Sequence, residues 1–415
     1  MEEPIVVGID IGTTKVCTLV ARLEGDADMR ILGVGIEPAQ GIKKGNVVDI
    51  NAATQSISRS IEKAQRTSGL EIESALVSLA GSHVSAMNSR GVVGISGGVI
   101  SQEDVDRALE AAMAVAMPHN REIIHVVQRG FTVDGQDGIQ SPVNFSGFRL
   151  EVEAHIITAA AATVENLRQC VNACNVDVLQ FVLNPLASGE VVLNKAERDM
   201  GVCVCDIGGG TSDLAIYING DVWHTNVLPV GGSHITHDIA IGLRISPEQA
   251  EQIKKQYGHA ITSEVGEGEF FTLKTFGDDQ PQQISRRDLA WIIEARVEEI
   301  FQLLHQEVRR SGYDNLLPAG MILTGGTSQL PGIRQLAANV LNMPVRVARP
   351  ENLVGLVDQL QSPAYSTSVG LLKWSELMTQ PSYAVTRPRK AKSTGFKPAG
   401  LDWNKVKVWM ERLLP

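Results

Sequence analysis

Two short turns, each led by an aspartate and rich in glycine, constrain the fold of this chain more than any other feature. The first is Asp10-Ile-Gly-Thr-Thr-Lys15 and the second is Asp206-Ile-Gly-Gly-Gly-Thr-Ser-Asp213. β-Branched residues come before and after each turn, which predicts a strand, a tight turn and a second strand. Glycine lets the backbone approach a ligand closely, and successive N–H groups then form an anion-binding concavity. Two such turns predict a duplicated fold that holds a polyphosphate from both sides.

The aspartate that leads each turn suits a magnesium ion beside that polyphosphate. Mg²⁺ is usually bound by one or two carboxylates together with water and phosphate oxygens. Neither turn matches the Walker A pattern G-x-x-x-x-G-K-[ST], and a strand rather than a helix follows each of them. We therefore expect a magnesium–polyphosphate site that does not belong to the P-loop class.

Charge is distributed unevenly along the chain. Of the 415 residues, 43% are hydrophobic, which is enough for a large core and for two or more domains. The formal net charge is −10, but residues 380–415 carry eight basic and two acidic side chains, which leaves −16 for the remainder. The acidic body argues against general nucleic-acid binding, and the basic end points to an anionic surface such as a membrane.

The five cysteines predict neither disulfides nor a metal site. Three of them lie in apolar, strand-like runs, and the pair Cys170 and Cys174 lacks a second pair of metal ligands. Buried, reduced thiols of a cytosolic protein are the expected state. No signal peptide opens the sequence and no apolar run of 18 residues occurs, so we expect no membrane-spanning helix.

The end of the chain predicts a tether followed by a membrane-binding helix. Residues 379–399 are polar and basic and contain proline, which predicts a disordered linker with a reach of about 25 Å. Residues 400–415 place six apolar side chains on one arc of a helix with a lysine at each edge, a pattern typical of helices that lie in a membrane interface. A helix that docks on its own domain is the alternative, although it would not need so long a tether. The side chains of the expected membrane face are Trp403, Val406, Trp409, Met410, Leu413 and Leu414, with Lys405 and Lys407 at the edges.

Five motifs, in order, resemble the superfamily of actin, sugar kinases and heat-shock-70 ATPases. The two turns resemble its phosphate motifs, and Ile322-Leu-Thr-Gly-Gly-Thr327 resembles its adenosine motif. Pro185-Leu-Ala-Ser188 and Ser366-Thr-Ser-Val-Gly-Leu371 are similar to the two connecting helices where the lobes of that fold hinge. The resemblance implies an α/β protein with two actin-like lobes of ribonuclease-H type around a nucleotide cleft.

Within this superfamily the chain resembles the FtsA family of bacterial actin-like cell-division proteins over essentially its whole length. His125-Val-Val-Gln128 and residues 134–150 resemble the α+β subdomain that is inserted in the first lobe of that family, and residues 365–372 continue the likeness. The implied boundaries are 1–82 and 162–200 for the first lobe core, 83–161 for the inserted subdomain, 201–232 and 308–378 for the second lobe core, 233–307 for a helical subdomain, 379–399 for the linker and 400–415 for the C-terminal amphipathic helix.

The same resemblance implies ATP and Mg²⁺ as ligands and assigns roles at matching positions. Asp10 and Asp206 would position Mg²⁺ through water, while Glu251 and Lys254 would face the ribose and the base. An ordinary solvated helix face is the alternative for the last two. The other implied contacts are Gly12, Thr13, Thr14, Lys15, Gly208, Gly209, Gly210, Thr211, Gly231 and Gly232 at the phosphates and Gly325, Gly326 and Thr327 at the adenosine.

One position departs from the pattern of the superfamily. Many relatives carry a carboxylate just before the proline of the first connecting motif, where it can orient the attacking water, but Asn184 occupies this position and cannot act as a base. Gln180 and Glu190 lie nearby in the sequence, and either could partly substitute as a catalytic group. We expect ATP binding with at most slow hydrolysis, so that nucleotide closes the cleft and sets the geometry of a polymer.

Family likeness implies a peripheral protein on the cytoplasmic side of the cell membrane at the division site. It implies polymerisation there, anchoring of the tubulin-like protein FtsZ to anionic lipid, and recruitment of later division proteins, with no nucleic acid as a partner. We expect the C-terminal tail of FtsZ to bind the helical part of the second lobe, where Arg286, Arg287 and Arg296 could pair with its acidic side chains. Solvated arginines with glutamate partners in their own helix fit the sequence equally well.

Two alternatives belong to the same superfamily, and the first of them shares the glycine turns. A phosphotransferase of the sugar-kinase type would need a catalytic aspartate at a substrate cleft and would have no use for a membrane helix. A pilus-assembly adaptor of related fold also carries an inserted subdomain, but it normally ends without a helix like that of residues 403–414. Sedimentation with anionic vesicles distinguishes a membrane-bound protein from the kinase.

Overall fold

The structure is a computed structural model that describes residues 4–24, 28–115, 117–277 and 280–377. The expected linker and the expected amphipathic helix lie outside the described residues, and so do all eight side chains assigned to the membrane face. Within the described ranges, no helix combines the length and the apolar character that crossing a bilayer requires.

The first seven elements build most of one sheet and the helix that covers it. They are β1 (Ile5–Ile11), β2 (Lys15–Glu24), β3 (Asp28–Pro38), the short pair β4 (Ile42–Lys43) and β5 (Asn46–Val47), α1 (Ile50–Ser68) and β6 (Ser74–Leu79). β1 and β2 are antiparallel neighbours, so the first glycine turn closes a hairpin as predicted. Gly35 of β3 lets α1 pack closely on the sheet, because a Cβ at this position would lie 1.8 Å from the carbonyl oxygen of Ser60.

The next five elements form a subdomain with its own small core. They are β7 (Ser85–Gly94), α2 (Gln102–Met113), β8 (Arg121–Val133), β9 (Gln136–Ile139) and β10 (Arg149–Ala160). The strands pair in the order β7-β10-β8-β9, all antiparallel. Leu150, Val152 and Ala154 alternate along β10, and they pack with Ala108 and Ala112 of α2. We refer to this unit as the insert.

The chain then returns to the first sheet and crosses to the second half. The elements are α3 (Ala161–Asn172), β11 (Asp177–Leu183), α4 (Asn184–Val192) and α5 (Lys195–Met200). β11 pairs in parallel with β6 and extends the first sheet. Pro185 lies in the first turn of α4, where a missing N–H costs no hydrogen bond.

A second sheet opens with β12 (Val202–Ile207), β13 (Ser212–Ile218) and β14 (Asp221–Leu228). A largely helical segment follows, made of α6 (Gly232–Leu243), α7 (Pro247–Tyr257), the strand pair β15 (Phe270–Leu273) and β16 (Gln282–Ser285), and α8 (Arg286–Ser311). The remaining elements are β17 (Met321–Thr324), α9 (Ile333–Leu341), β18 (Val345–Val347), β19 (Val354–Gly355) and α10 (Ser366–Leu377).

The two sheets share one strand order, which confirms the predicted duplicated fold. The first sheet runs β3-β2-β1-β6-β11, with β19 beside β3, and the second runs β14-β13-β12-β17-β18. In both, the first three strands are antiparallel and the last two add in parallel. We call each sheet with its helices a lobe. The insert belongs to the first lobe by sequence.

Helices α4 and α10 pack against each other where the lobes join. Gly370 of α10 makes this approach possible, because a Cβ there would lie 1.9 Å from the carbonyl oxygen of Ala187 in α4. The residues around both positions are fully buried. The lobes are therefore joined through a tightly packed pair of helices.

Two buried histidines fix the insert to both lobes. His125 of β8 accepts the N–H of Leu183 through Nε2 at 3.1 Å, and its ring meets Trp374 of α10 edge to face at 5.3 Å. Nε2 of His155 in β10 hydrogen-bonds to the Thr225 hydroxyl of the second lobe at 2.9 Å. Burial lowers the pKa of both histidines to about 3, so both are neutral at neutral pH.

Candidate functional site

A cavity of about 770 Å³ lies between the lobes, and both glycine turns line it. The turn after β17 lines the second-lobe side together with residues of α7, and Thr367 contributes from α10. Asn184, the first residue of α4, also faces the cavity. The five motifs found in the sequence, or residues next to them, therefore meet at one cleft.

Asp10 is held at the base of the first turn. Its carboxylate accepts hydrogen bonds from the hydroxyls of Ser78 at 3.1 Å and Ser368 at 2.7 Å. The Lys15 ammonium lies 3.9 Å away and also donates to the carbonyl of Ala364. Only 5% of Asp10 is exposed, so hydroxyls and one ammonium take the place of water around this carboxylate.

Asp206 is the matching residue in the second turn. Its carboxylate accepts a hydrogen bond from the Thr367 hydroxyl at 2.7 Å. Burial raises the pKa of Asp206 to about 6, against the opposing effect of the Thr367 hydrogen bond, and the Asp10 carboxylate adds to the increase. A cation in this cleft would relieve that cost.

The two turns offer several free backbone donors to the cavity. The N–H of Gly12 donates to the carbonyl of Lys15 and that of Gly208 to the carbonyl of Thr211, both at 2.9 Å, which closes each turn. The N–H groups between these bonds have no acceptor among the residues that the structure describes. They belong to Thr13, Thr14, Gly209 and Gly210, and all four residues line the cavity.

Gly231 and Gly232 differ from the expectation that their N–H groups face phosphate. The N–H of Gly231 donates to Nδ1 of His234 at 3.2 Å, and that of Gly232 donates to the carbonyl of Gly208 at 2.9 Å. A Cβ at Gly231 would lie 2.7 Å from the same carbonyl oxygen. The predicted role is therefore wrong for these donors, since close packing against the second turn occupies them.

The same cavity is lined by the residues assigned to the adenosine. Glu251 and Lys254 of α7 form an ion pair at 2.6 Å, and Lys254 also donates to the carbonyl of Gly232 at 3.0 Å. Both side chains line the cavity, so they do not form an ordinary solvated helix face. Gly325 and Gly326 line it too, and the Thr327 hydroxyl donates to the carbonyl of Gly208 at 2.9 Å.

The two substitutes that we predicted for the missing carboxylate lie outside the cavity. Gln180 is on strand β11, where its amide lies 3.5 Å from Nδ1 of His125. Glu190 of α4 pairs with Arg198 at 2.9 Å and lines a different cavity, behind the connecting helices. Neither side chain lines the cleft, because each is held by a contact elsewhere, so the structure does not support the expected catalytic role of either residue.

Asp213 is a cleft carboxyl that the sequence analysis did not single out. Burial and the nearby Asp206 raise its pKa well above the usual value. Its Oδ2 accepts the Thr211 hydroxyl at 2.9 Å, whereas Oδ1 is buried without a hydrogen-bond partner among the described residues. The repeated aspartate at the end of the second turn was the available signal. Ser78, Thr367 and Ser368 were also missed as partners of the cleft aspartates, because only the fold brings their hydroxyls to Asp10 and Asp206.

The three arginines predicted to bind a partner already have acidic neighbours. Arg296 binds Asp238, with 3.0 Å from Nη2 to Oδ1, and also contacts Glu299. Arg286 donates to the carbonyl of Tyr257 at 2.8 Å and pairs with Glu269, and Arg287 pairs with Glu267. The partners of Arg286 and Arg287 lie outside their own helix. An acidic peptide would have to compete with these pairs.

Metal ligands are sparse within the described ranges. No group of three or more histidine, cysteine, aspartate and glutamate side chains is arranged to hold an ion there. All five cysteines are free thiols. Asp10, Asp206 and Asp213 nevertheless bring buried carboxyl groups to a cleft that also has free N–H donors. This arrangement fits Mg²⁺ that takes its remaining ligands from water and phosphate.

The fold and the cleft define a protein of the actin-like class. Comparison with known sequences then identifies the family. The chain is 42% identical over 370 residues to the cell division protein FtsA of Pseudomonas aeruginosa, covering 89% of each chain. It is 41% identical over 371 residues to that of Bacillus subtilis, covering 89% of this chain and 83% of the other. Family models described as "Cell division protein FtsA" and "SHS2 domain inserted in FTSA" match residues 203–370 and 81–158. The chain belongs to the FtsA family of cell-division proteins.

Solved structures of low sequence identity share the fold. A PilM–PilN type IV pilus biogenesis complex matches with a TM-score of 0.63 at 18% identity, covering 89% of this chain and 98% of the other. MreB5 of Spiroplasma citri bound to ADP matches with a TM-score of 0.51 at 14% identity, covering 90% and 96%. These likenesses confirm the actin-like architecture.

Proposed function

We propose that the cleft binds Mg–ATP between the two lobes. The observation that carries this proposal is the convergence of four free backbone N–H donors with buried Asp10 and Asp206 on one cavity of about 770 Å³. Such donors suit a polyphosphate, and the carboxylates suit its magnesium ion. The fold is shared with MreB5 structures bound to ADP and AMPPNP, which supports the choice of an adenine nucleotide.

Different residues of the cleft take different parts of the nucleotide. The two turns hold the phosphates, with Lys15 as a cation beside them, while Gly325, Gly326, Glu251 and Lys254 border the adenosine. Mg²⁺ supplies positive charge beside the phosphate oxygens when bound. Asp10 and Asp206 would hold it, through water, with their carboxylates oriented by the serine and threonine hydroxyls.

Hydrolysis in this cleft is slow or absent. Asn184 replaces the carboxylate of many relatives, and the carboxyl available in its place is Asp213, whose pKa is raised by burial. A carboxyl whose pKa is raised in this way is ionised in a smaller fraction of molecules than a free aspartate, and only the ionised form accepts a proton. Nucleotide therefore serves mainly to close the lobes and to set the geometry of a polymer.

The protein polymerises on the cytoplasmic face of the membrane. It binds the lipid through the expected amphipathic helix of residues 403–414. Partial burial of two tryptophans and several aliphatic side chains stabilises one such helix on lipid by a few kcal/mol, at about 1.5–3 kcal/mol for each fully buried side chain less ordering entropy. Basic residues add about 1 kcal/mol each near anionic lipid. Membrane binding by one such helix is reversible. A polymer carries many helices close together, and the high effective concentration of helices near the lipid makes its attachment tight.

The anchored polymer ties FtsZ to the membrane and helps to recruit later division proteins. The helical part of the second lobe receives the FtsZ tail, with Arg286, Arg287 and Arg296 as its basic residues. Existing partners such as Glu267 and Asp238 compete with the tail, which favours a reversible contact that weakens with salt.

Electron microscopy on an anionic lipid monolayer tests the membrane and polymer parts together. Full-length protein with Mg–ATP should form filaments on the monolayer, and Trp409→Glu should not. Asn404→Glu adds the same charge on the polar side of the helix and should leave the filaments intact. Filaments of the Trp409 variant at wild-type density would contradict the role of this helix.

A further inference from the structure

The hairpin of β4 and β5 carries an unexpected residue at its tip. Lys43 pairs with Asn46, which leaves Lys44 and Gly45 as a two-residue turn. Both have positive φ, 50° and 76°, as a type I′ turn requires. Asparagine and glycine favour this conformation, whereas a lysine adopts it at an energetic cost. Turn formation therefore does not explain the lysine.

The tip of the hairpin lies against the phosphate turn of the opposite lobe. A Cβ at Gly210 would lie 3.0 Å from Cα of Lys44 and 2.4 Å from the hydroxyl oxygen of Thr13. Gly45 lines the cleft, and a Cβ there would lie 2.3 Å from the carbonyl oxygen of Ala80. The hairpin thus fills the space between its own lobe and the second glycine turn.

The charge of Lys44 has no acidic partner among the described residues, although this lysine is half-buried. Other lysines at the cleft are paired, since Lys15 lies 3.9 Å from Asp10 and Lys254 lies 2.6 Å from Glu251. Burial lowers the pKa of His234, and the positive charge of Lys44 adds to this effect. The charge of Lys44 therefore acts on the first turn of α6, which follows the backbone contact of Lys44 with the second phosphate turn.

We propose that Lys44 is a further phosphate-binding residue, which the first lobe presents across the cleft to the terminal phosphate of a nucleoside triphosphate. The inference rests on the proposed binding of nucleotide. A terminal phosphate supplies the anion that this half-buried cation lacks. The contact of Lys44 with Gly210 exists only while the lobes are close, so the same residue favours the closed cleft when a triphosphate is present.

Calorimetry on the full-length chain with Mg–ATP and Mg–ADP tests this role. Lys44→Asn removes the charge and keeps a residue that tolerates positive φ, so it should weaken ATP binding about tenfold and ADP binding less than about twofold. Lys43→Asn is the matched control in the same hairpin, and it should change both affinities less than about twofold. Lys44→Arg keeps a cation and should retain the preference for ATP.

The outcomes separate the inference from the proposed function. Wild-type protein that binds neither nucleotide would overturn the proposed function. Wild-type protein that binds ATP, with an unchanged ATP affinity in Lys44→Asn, would overturn only the role of Lys44. Lys44→Gly relieves the backbone strain as well, so it gives the same comparison if the asparagine variant folds poorly. Equal losses for ATP and ADP would also contradict recognition of the terminal phosphate.

Discussion

The hydroxyl of Ser368 donates to the carboxylate of Asp10 across 2.7 Å, although 358 residues separate them in sequence. Thr367, the preceding residue of α10, donates to Asp206 at the same distance. Two adjacent residues of one helix thus hold the leading aspartates of both glycine turns. Because the two aspartates belong to different lobes, rotation of one lobe against the other is expected to strain at least one of these bonds. The hydrogen bonds of α10 are therefore coupled to the angle between the lobes.

Ser368→Ala should weaken the binding of Mg–ATP about tenfold, because Asp10 loses a hydrogen bond that orients its carboxylate. Isothermal calorimetry with and without magnesium measures the effect. Ser375→Ala is the control, since the Ser375 hydroxyl donates to the carbonyl of Leu372 in its own helix. Equal affinities for wild type and Ser368→Ala would show that this bond does not position Asp10.

Asp206→Asn should change how the stability of the nucleotide-free protein depends on pH. The pKa of Asp206 is raised from 3.8 to about 6, so its contribution is favourable below about pH 4 and is lost as the pH rises through 6. The two-unit shift corresponds to about 3 kcal/mol. The free energy of unfolding, measured in urea, should therefore increase for the variant relative to the wild type as the pH rises from 4 to 7. Asp199→Asn is the matched control at an exposed aspartate. A difference between the unfolding free energies of Asp206→Asn and wild type that stays constant from pH 4 to pH 7 would contradict the prediction.

Gly370→Ala should destabilise the junction between the lobes by about 1–3 kcal/mol, since its Cβ would overlap the carbonyl oxygen of Ala187 and force α4 and α10 apart. Chemical denaturation measures the loss. Gly94→Ala places the same methyl group where no atom lies within 4 Å, and it should stay within about 0.5 kcal/mol of wild type. An unaltered midpoint for Gly370→Ala would mean that the two helices tolerate a wider separation.

His155→Leu should cost about 1–3 kcal/mol of stability, because it leaves the buried hydroxyl of Thr225 without a partner and removes the ring that bridges it to Asn88. The pKa of His155 is lowered to about 3, so its stabilising contribution is complete above pH 6.5 and is lost as the pH falls below that value. Thermal unfolding at pH 7.5 and pH 5 measures both effects, with the exposed His119→Leu as control. A variant as stable as wild type at pH 7.5 would show that the insert does not depend on this bridge.

Much of the fold could be predicted because its signals are local. The hairpins around both glycine turns follow from β-branched runs interrupted by glycine, and Ser101 begins α2 with a capping box. Site residues could be predicted where a single short motif contains both the turn and the ligand-binding side chain, as it does for Asp10 and Asp206. The predictions failed for Gly231 and Gly232, whose N–H groups bind protein atoms, and for Gln180, which lies on a strand beside His125.

The sequence by itself determined the two aspartyl–glycine turns, the strands around them and the family, because dihedral preferences and the spacing of apolar residues act over a few positions. Only the tertiary structure decided which hydroxyls hold the two aspartates, that Asp213 is buried in the cleft, and that Lys44 rests on Gly210. These contacts join residues far apart in the chain. Their geometry depends on how the two sheets, α10 and the hairpin pack together, which no local pattern encodes.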